Sequence, residues 1–117
     1  MRHKKGNKKL NMPTDQRLAL LKSLVRSLFL NNSIKTTDTR AKQAKKIAEK
    51  LITLGKNGSI HSRRLALSIL PDKIIIGKIF SEYSEKFKQR KGGYTRVIKL
   101  GYRRGDSALI SLLEFVD

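Results

Sequence analysis

Residues 86–105, KFKQRKGGYTRVIKLGYRRG, contain eight Lys or Arg side chains and no acidic residue. After Gly92 and Gly93 the side chains alternate with a period of two, which indicates a β-strand. Residues 101–107 contain two more glycines and predict a turn, and residues 109–116 are rich in Leu, Ile, Phe and Val and predict another strand. The stretch therefore predicts a cationic β-hairpin, whose charges form either a solvated face or a surface for a polyanion.

The whole chain shares this positive charge. It has 117 residues and a formal net charge of +18. That length is typical of one domain, which buries on the order of two thirds of its unfolded surface. Repulsion between so many like charges destabilises a compact state unless a polyanion neutralises them. Nucleic acid is therefore the first candidate partner.

Several classes of protein are excluded by what the sequence lacks. Without cysteine there is neither a disulfide framework nor a thiolate metal site. No run of about eighteen apolar residues is present, and no apolar segment follows the basic N-terminus, so we expect neither a membrane span nor a secretory signal. We therefore expect a cytosolic or organelle-matrix protein with no membrane partner.

The N-terminal residues 1–12 differ in character from the rest and predict a basic extension of a single domain that covers residues 13–117. They contain too few apolar side chains to order themselves, so we expect a disordered tail. Such a tail either stays solvated or becomes ordered on RNA, and both readings remain open. Its candidate RNA-contacting side chains are Arg2, His3, Lys4, Lys5, Lys8 and Lys9.

Two long amphipathic helices are predicted by apolar side chains at helical spacing, with a short β-branched strand at residues 33–37 between them. The first helix has Thr14 as its expected N-cap and is expected to end at Asn31-Asn32. Its expected core stripe consists of Leu18, Leu21, Val25, Leu28 and Phe29. The second helix begins at Asp38 and is expected to end near Gly55. Its outer face carries Lys42, Lys45, Lys46 and Lys50, which predicts RNA contact or plain solvation with equal weight.

Two further helices are predicted before the hairpin. Residues 60–70 form a short helix with Leu65, Ala66 and Ile69 inward, and Pro71 stops it. Asp72 is placed to cap the next segment, where the apolar period continues to residue 87. Residues 74–76 also fit a buried strand, but the sustained period favours a helix. Together these elements predict an α+β fold with a small three-stranded mixed or antiparallel sheet packed against about four helices.

Catalysis and metal binding find little support in the sequence. His3 and His61 have no cysteine and no close pair of carboxylates beside them, so neither predicts a metal or catalytic site. Gly92 and Gly93 lack the spacing and the terminal Lys-Ser or Lys-Thr of a nucleotide-binding loop. We therefore expect no enzyme activity, no cofactor and no small-molecule substrate.

The glycine pair and the nearby aromatic residues have two interpretations each. Gly92 and Gly93 form a structural bend, or they allow a sugar-phosphate backbone to approach closely, and the flanking Lys91 and Arg96 add support to the second interpretation. Tyr94 and Tyr102 are able to stack on unpaired bases, although core packing is expected for at least one of them. The wide distribution of charge favours recognition of folded RNA over a DNA regulator. A membrane-active protein is disfavoured because the apolar faces of the helices are needed for a core.

Several ordered motifs carry a family resemblance along nearly the whole chain. They are Met1-Arg2-His3-Lys4 with Leu10-Asn11, Ile34-Lys35-Thr36-Thr37 with Arg40-Ala41-Lys42, Leu51-Ile52-Thr53-Leu54, Arg63-Arg64, Gly92-Gly93-Tyr94-Thr95-Arg96 with Gly105-Asp106, and Glu114-Phe115-Val116. In these motifs the chain resembles the bacterial large-subunit ribosomal protein seventeen family.

The resemblance implies a structural constituent of the large ribosomal subunit that binds and stabilises large-subunit ribosomal RNA. It also implies contact with neighbouring ribosomal proteins, including large-subunit protein thirty-two, and location on the ribosome in the cytoplasm or an organelle matrix. By position it implies RNA contacts in the tail, at Arg63-Arg64 and in residues 92–96. With the charged neighbours added, the candidate RNA-binding residues of the domain are Arg63, Arg64, Lys91, Gly92, Gly93, Tyr94, Arg96 and Arg103.

Overall fold

The structure, a computed structural model, describes residues 13–116. Its elements in chain order are α1 (Thr14–Asn31), β1 (Ser33–Thr37), α2 (Asp38–Asn57), α3 (Ile60–Ile69), α4 (Lys73–Lys78), a π-helical turn (Ile79–Tyr83), α5 (Ser84–Lys86), β2 (Thr95–Tyr102) and β3 (Leu109–Phe115). The last three helical pieces follow one another without a break, so residues 73–86 act as one helical segment. The predicted α+β class with about four helices is confirmed, and the N-terminal tail lies outside the described residues.

The three strands form one antiparallel sheet in the order β1-β3-β2. Leu113 of the central strand β3 lies opposite Ile34 of β1 and Val97 of β2, and Leu112 lies opposite Lys35 and Ile98. Because neighbouring side chains point to opposite faces of a sheet, these two rows lie on different faces. The row with Leu113 faces the helices, and the row with Leu112 lies on the other face.

The centre of the core is a cluster of five aromatic rings. Phe29 lies 5.0 Å from Tyr83 and 5.1 Å from Phe115 between ring centroids, and Phe87 lies 5.2 Å from Tyr94. These residues come from α1, the helical segment, the residue that follows it, β3 and the loop before β2, so the cluster joins helices to the sheet. Burying aromatic rings of this size supplies a large part of the stability of a small domain.

Tyr83 also fixes the end of α1. Its hydroxyl donates hydrogen bonds to the carbonyl oxygen of Phe29 (3.1 Å) and to Oδ1 of Asn32 (2.9 Å). Asn32 adopts the left-handed conformation with φ of 68°, as the sequence predicted for the exit of this helix. Burial raises the pKa of Tyr83, because the ionised phenol would lose its hydration.

Several predicted details of the helices are wrong, and each error has a local cause. Helix α2 continues through Gly55 and ends at Asn57, where Gly58 takes the left-handed position with φ of 72°. In α3 the buried side chains are Ser62 and Ala66, and Leu65 is 41% exposed, because packing rotated the helix by about one residue from the predicted face.

The first turn of α1 also departs from its prediction. Thr14 lies inside the helix, and Pro13 occupies the N-cap position without a side-chain hydrogen bond. Leu18 is 45% exposed, because the core begins only one turn later at Leu21. By contrast, Asp72 caps α4 as expected and accepts hydrogen bonds from the N–H groups of Ile74 and Ile75. The preference for a helix at residues 74–76 is confirmed.

An added methyl group is expected to have opposite effects on stability at Gly55 and at Gly77. A Cβ at Gly55 would lie 2.9 Å from Cγ2 and 3.2 Å from the carbonyl oxygen of Ile79, whereas a Cβ at Gly77 would meet nothing within 4 Å. We expect Gly55→Ala to lower the free energy of unfolding by about 1–3 kcal/mol through overpacking. Gly77→Ala, the matched control, should raise it by roughly 0.5–1 kcal/mol through helix propensity. Urea denaturation of both variants checks this, and equal effects would contradict the close contact.

Candidate nucleic-acid interface

The loop between the helical segment and β2 contains the glycine pair that the sequence analysis identified. Gly92 has φ of 137° and Gly93 has φ of 62°, both in the region that side chains other than glycine rarely adopt. A Cβ at either position would meet nothing within 4 Å. These glycines are therefore required by the backbone conformation of the loop and not by close packing against the protein.

Helix α2 holds this loop on both sides. Oε2 of Glu49 accepts hydrogen bonds from the backbone N–H (3.1 Å) and the hydroxyl (2.8 Å) of Thr95. About two turns further along the helix, Nζ of Lys56 donates to the carbonyl oxygen of Arg90 and to the hydroxyl of Tyr94 (3.1 Å). The loop is thus anchored immediately before and after the glycines, and its tip is exposed at Lys91 and Gly93.

The sequence analysis missed Glu49 and Lys56 as residues that position the loop. Each bonds to residues more than thirty positions away in the chain, since the hydrogen bonds span 46 residues for Glu49 and 34 and 38 for Lys56. No local pattern contains such information. The only signal was an isolated acid within the lysine-rich face of this helix.

Loss of the Glu49 carboxylate should therefore release the loop. Thr95 is 3% exposed, so Glu49→Ala leaves a buried N–H and a buried hydroxyl without their acceptor. We expect the free energy of unfolding to fall by about 1–3 kcal/mol, and the Thr95 amide to exchange with solvent faster. Lys50→Ala, an exposed neighbour on the same helix, should change stability by less than about 0.5 kcal/mol. Hydrogen exchange and urea denaturation measure both quantities, and a protected Thr95 amide in Glu49→Ala would contradict the anchoring role.

Arg63 and Arg64 lie on α3 and are both exposed. The Arg63 guanidinium carbon lies 4.6 Å from the centroid of the Phe80 ring, a cation–π contact that restrains its position. The helix itself is capped by Ser59, whose Oγ accepts from the Ser62 N–H at 3.0 Å. Two adjacent guanidinium groups are thus presented on a capped helix.

Six exposed cations of α2, α3, α5 and the loop before β2 form no salt bridge with an acidic side chain in residues 13–116, and we call them the basic surface. Its members are Lys50, Arg63, Arg64, Lys86, Lys88 and Lys91. Lys35, Lys73, Lys99 and Arg104 are also exposed without such a salt bridge, but they lie on other elements. Helices α3 and α5 both contact α2, and Lys56 of α2 bonds to the loop. The basic surface is therefore organised around one helix.

Two predicted RNA-binding residues have a different environment. Nε of Arg96 lies 2.6 Å from Oε2 of Glu114, and Arg103 forms a bidentate pair with Asp106 through Nε (3.0 Å) and Nη2 (2.7 Å). The Arg103 hydrogen bonds and the Ala108 N–H lower the pKa of Asp106 to about 2, so this carboxylate stays ionised. Both arginines are exposed, but each is already neutralised by a carboxylate of its own chain.

Tyr94 and Tyr102, the two tyrosines considered for base stacking, differ in their exposure to solvent. Tyr94 is 4% exposed, packs against Phe87 and has Lys56 over its ring at 5.0 Å, so the structure does not support the prediction that its ring stacks on bases. The expectation of core packing for at least one tyrosine is confirmed. Tyr102 is 76% exposed at the end of β2. The predicted tail contacts at Arg2, His3, Lys4, Lys5, Lys8 and Lys9 lie outside the described residues.

The described part of the chain offers neither a metal centre nor a membrane span. Within residues 13–116 no three His, Cys, Asp or Glu side chains are grouped in a way that would hold a metal ion. No helix in the same range is long and apolar enough to cross a bilayer.

Comparison with known proteins decides the family. The sequence model described as ribosomal protein L17 matches residues 20–116. The chain belongs to the ribosomal protein L17 family. It is 52% identical to the protein of Syntrophus aciditrophicus over 99% of this chain and 93% of that protein. It is 50% identical to the protein of Clostridium beijerinckii over 95% and 98%, and 50% identical to that of Dictyoglomus thermophilum over 99% and 100%.

Each of these relatives is named large ribosomal subunit protein bL17. The resemblance stated from the sequence motifs is thereby confirmed. The ribosomal protein L17 family consists of structural ribosomal proteins, so the prediction that the chain is not an enzyme is confirmed as well.

Proposed function

We propose that this chain is a structural constituent of the large ribosomal subunit that binds and stabilises large-subunit ribosomal RNA. The observation that carries the proposal is that, in residues 13–116, five carboxylates have partners within the chain whereas the cations of the basic surface form no salt bridge. The carboxylates of Asp38, Asp72, Asp106 and Glu114 pair with cations of the same chain, and that of Glu49 binds Thr95. The basic surface is left without such partners in a chain of net charge +18, and phosphates are the partners that suit it.

The anchored glycine loop supports the same function. Within residues 13–116 the N–H groups of Gly92 and Gly93 donate to no protein acceptor. Backbone N–H groups at glycines approach phosphate oxygens closely, and Lys91 adds a positive charge beside them. The loop tip is therefore suited to a sugar-phosphate backbone. Contact with large-subunit protein thirty-two and residence on cytoplasmic ribosomes, both implied by the resemblance, complete the proposal.

Sedimentation of cell extract tests the proposal. We expect the chain to travel with large subunits at low salt and to be released progressively as salt increases. A chain that stays at the top of the gradient at every salt concentration would overturn the proposed function.

A glycine variant tests the loop. Gly93→Val forces a β-branched residue into φ of 62°, whereas Gly105→Val, the matched control, lies in a turn without positive φ and with open space around its Cβ. We expect Gly93→Val to reduce incorporation into large subunits more than it reduces the stability of the isolated protein. A variant that loses stability but is incorporated normally would count against phosphate contact at the loop.

A further inference from the structure

Arg63 of the basic surface is restrained at both ends of its side chain. At the backbone, its N–H donates to the carbonyl oxygen of Ser59, the residue that caps α3. The adjoining Ser62 is buried, and its hydroxyl donates to Oδ1 of Asn57 at 2.7 Å, so this turn is fixed to the end of α2. At the tip, the guanidinium carbon lies 4.6 Å from the centroid of the Phe80 ring. The side chain therefore has fewer conformations than an exposed arginine normally has.

Phe80 lies in the π-helical turn of the helical segment. The buried residues Ile79 and Tyr83 form the two ends of this turn, and Phe80 packs against the core only in part and is half-buried. A π-helical turn is wider than an α-helical turn, so it changes the direction of its side chains, and such turns are frequent at functional sites. The partly exposed ring is thus fixed by the core and in contact with the tip of Arg63.

Arg64, the next residue, has the same charge and is exposed in the same way, but its tip is not restrained. Within the described part of the chain, its guanidinium contacts neither an aromatic ring nor a carboxylate. A guanidinium that stacks on a ring keeps its planar N–H edge free for two parallel hydrogen bonds to one phosphate. A mobile guanidinium loses conformational entropy when it forms the same bonds. The two neighbours therefore differ in preorganisation and not in charge.

We propose that Phe80 is a positioning residue for RNA, which holds the Arg63 guanidinium ready to form two parallel hydrogen bonds with one phosphate of large-subunit ribosomal RNA. Arg64 contributes as a charge alone. The inference rests on the proposed function, of which it defines one contact. An RNA base stacked on the outer face of the guanidinium is the other possible occupant. Phosphate is favoured because Arg64 also has no anionic partner in the described domain, and a base would neutralise neither charge.

Phe80→Leu in the full chain tests the positioning role through binding to purified large-subunit ribosomal RNA. Leucine keeps an apolar contact with the core but removes the ring. We expect Kd to rise roughly 2- to 10-fold, because one long side chain must then be immobilised on binding. The slope of log affinity against log salt concentration should stay the same, because no charge is removed. Phe80→Tyr, which keeps the ring, is the matched control and should bind like the parent. Filter binding at several salt concentrations measures both quantities.

An Arg63→Ala background separates positioning from a structural role of the ring. Arg63→Ala itself should weaken binding and lower the salt slope by about one phosphate equivalent. Because no guanidinium is left to position, adding Phe80→Leu to this background should change Kd by less than about 1.5-fold. A ring that acted only on folding would lower affinity in both backgrounds.

A pair of lysine variants tests the same contact with the ring in place. Arg63→Lys and Arg64→Lys both keep the charge, so neither should change the salt slope. Arg63→Lys should raise Kd roughly threefold more than Arg64→Lys, because lysine cannot reproduce the planar fork of a positioned guanidinium. This comparison stands even if Phe80→Leu lowers the melting temperature of the isolated chain.

The inference is overturned if Phe80→Leu binds like the parent, if its effect persists in the Arg63→Ala background, or if Phe80→Tyr loses as much affinity as Phe80→Leu. Equal effects of the two lysine variants would also overturn it. Loss of affinity in Arg63→Ala at an unchanged salt slope would indicate a stacked base and contradict the phosphate contact. A parent chain that does not bind the RNA would overturn the proposed function instead, so the two failures are distinguishable.

Discussion

Phe29→Ala is expected to remove a large share of the stability of the isolated chain. Phe29 is fully buried, and its ring contacts Tyr83 and Phe115 at centroid distances of 5.0 and 5.1 Å. Truncating a buried phenylalanine costs about 3–5 kcal/mol, against a total stability of about 5–15 kcal/mol for a typical domain. This chain has the added burden of repulsion among its cations, which reduces the margin that remains.

Urea denaturation followed by circular dichroism measures this loss. Leu30→Ala is the matched control, because Leu30 is the next residue of α1 and is 55% exposed. We expect the control to change the free energy of unfolding by less than about 0.5 kcal/mol. A loss below about 1 kcal/mol in Phe29→Ala would contradict the central place of the aromatic cluster.

The affinity of the chain for large-subunit ribosomal RNA should depend steeply on salt. If the basic surface neutralises about six phosphates, log affinity falls by roughly 0.7–0.9 per phosphate for each tenfold rise in salt. Between about 50 and 200 mM monovalent salt, affinity is then expected to fall by roughly 300- to 2,000-fold. Filter binding or fluorescence anisotropy over this range gives the slope directly. A shallow slope, equivalent to about one or two phosphates, would contradict the assignment.

Paired variants assign that slope to particular charges. Arg63→Ala with Arg64→Ala removes two members of the basic surface and should lower the slope by nearly two phosphate equivalents. Arg96→Ala with Arg103→Ala removes the same formal charge from residues that Glu114 and Asp106 already neutralise. The second pair should therefore change the slope much less. Equal effects of the two pairs would show that the intramolecular salt bridges open on binding.

The overall architecture followed from local patterns in the sequence. The period of two after the glycine pair predicted the hairpin of β2 and β3, and the helical period favoured a helix at residues 74–76 over a buried strand. Asp72 was recognised as a cap because capping depends on residues two and three positions away. These features are local, so a single sequence contains the information that specifies them.

The errors arose where a contact between distant elements decides the outcome. Gly55 resembled a helix end, but the close approach of Ile79 makes it a packing glycine within α2. The face of α3 depends on how that helix lies against its neighbours, so Leu65 is exposed and Ala66 is buried. Periodicity predicts a helix more reliably than its rotation.

The candidate site also has features that the sequence predicted and features that depend on contacts between distant elements. Arg63 and Arg64 were identified from the sequence as projecting charges, and both are exposed. The pairing of Arg96 with Glu114 follows from the strand register, which places these residues opposite each other. The hydrogen bonds of Glu49 and Lys56 likewise depend on the packing of α2 against the loop. Which cations remain available to a partner is therefore a property of the folded chain.

The most direct test of the account is crosslinking of the chain to ribosomal RNA in intact large subunits, with each crosslinked residue identified by mass spectrometry. We expect RNA adducts in peptides that contain Lys50, Arg63 and Arg64, and residues 88–93. Large subunits that contain the chain but give no RNA adduct on the basic surface would contradict the account.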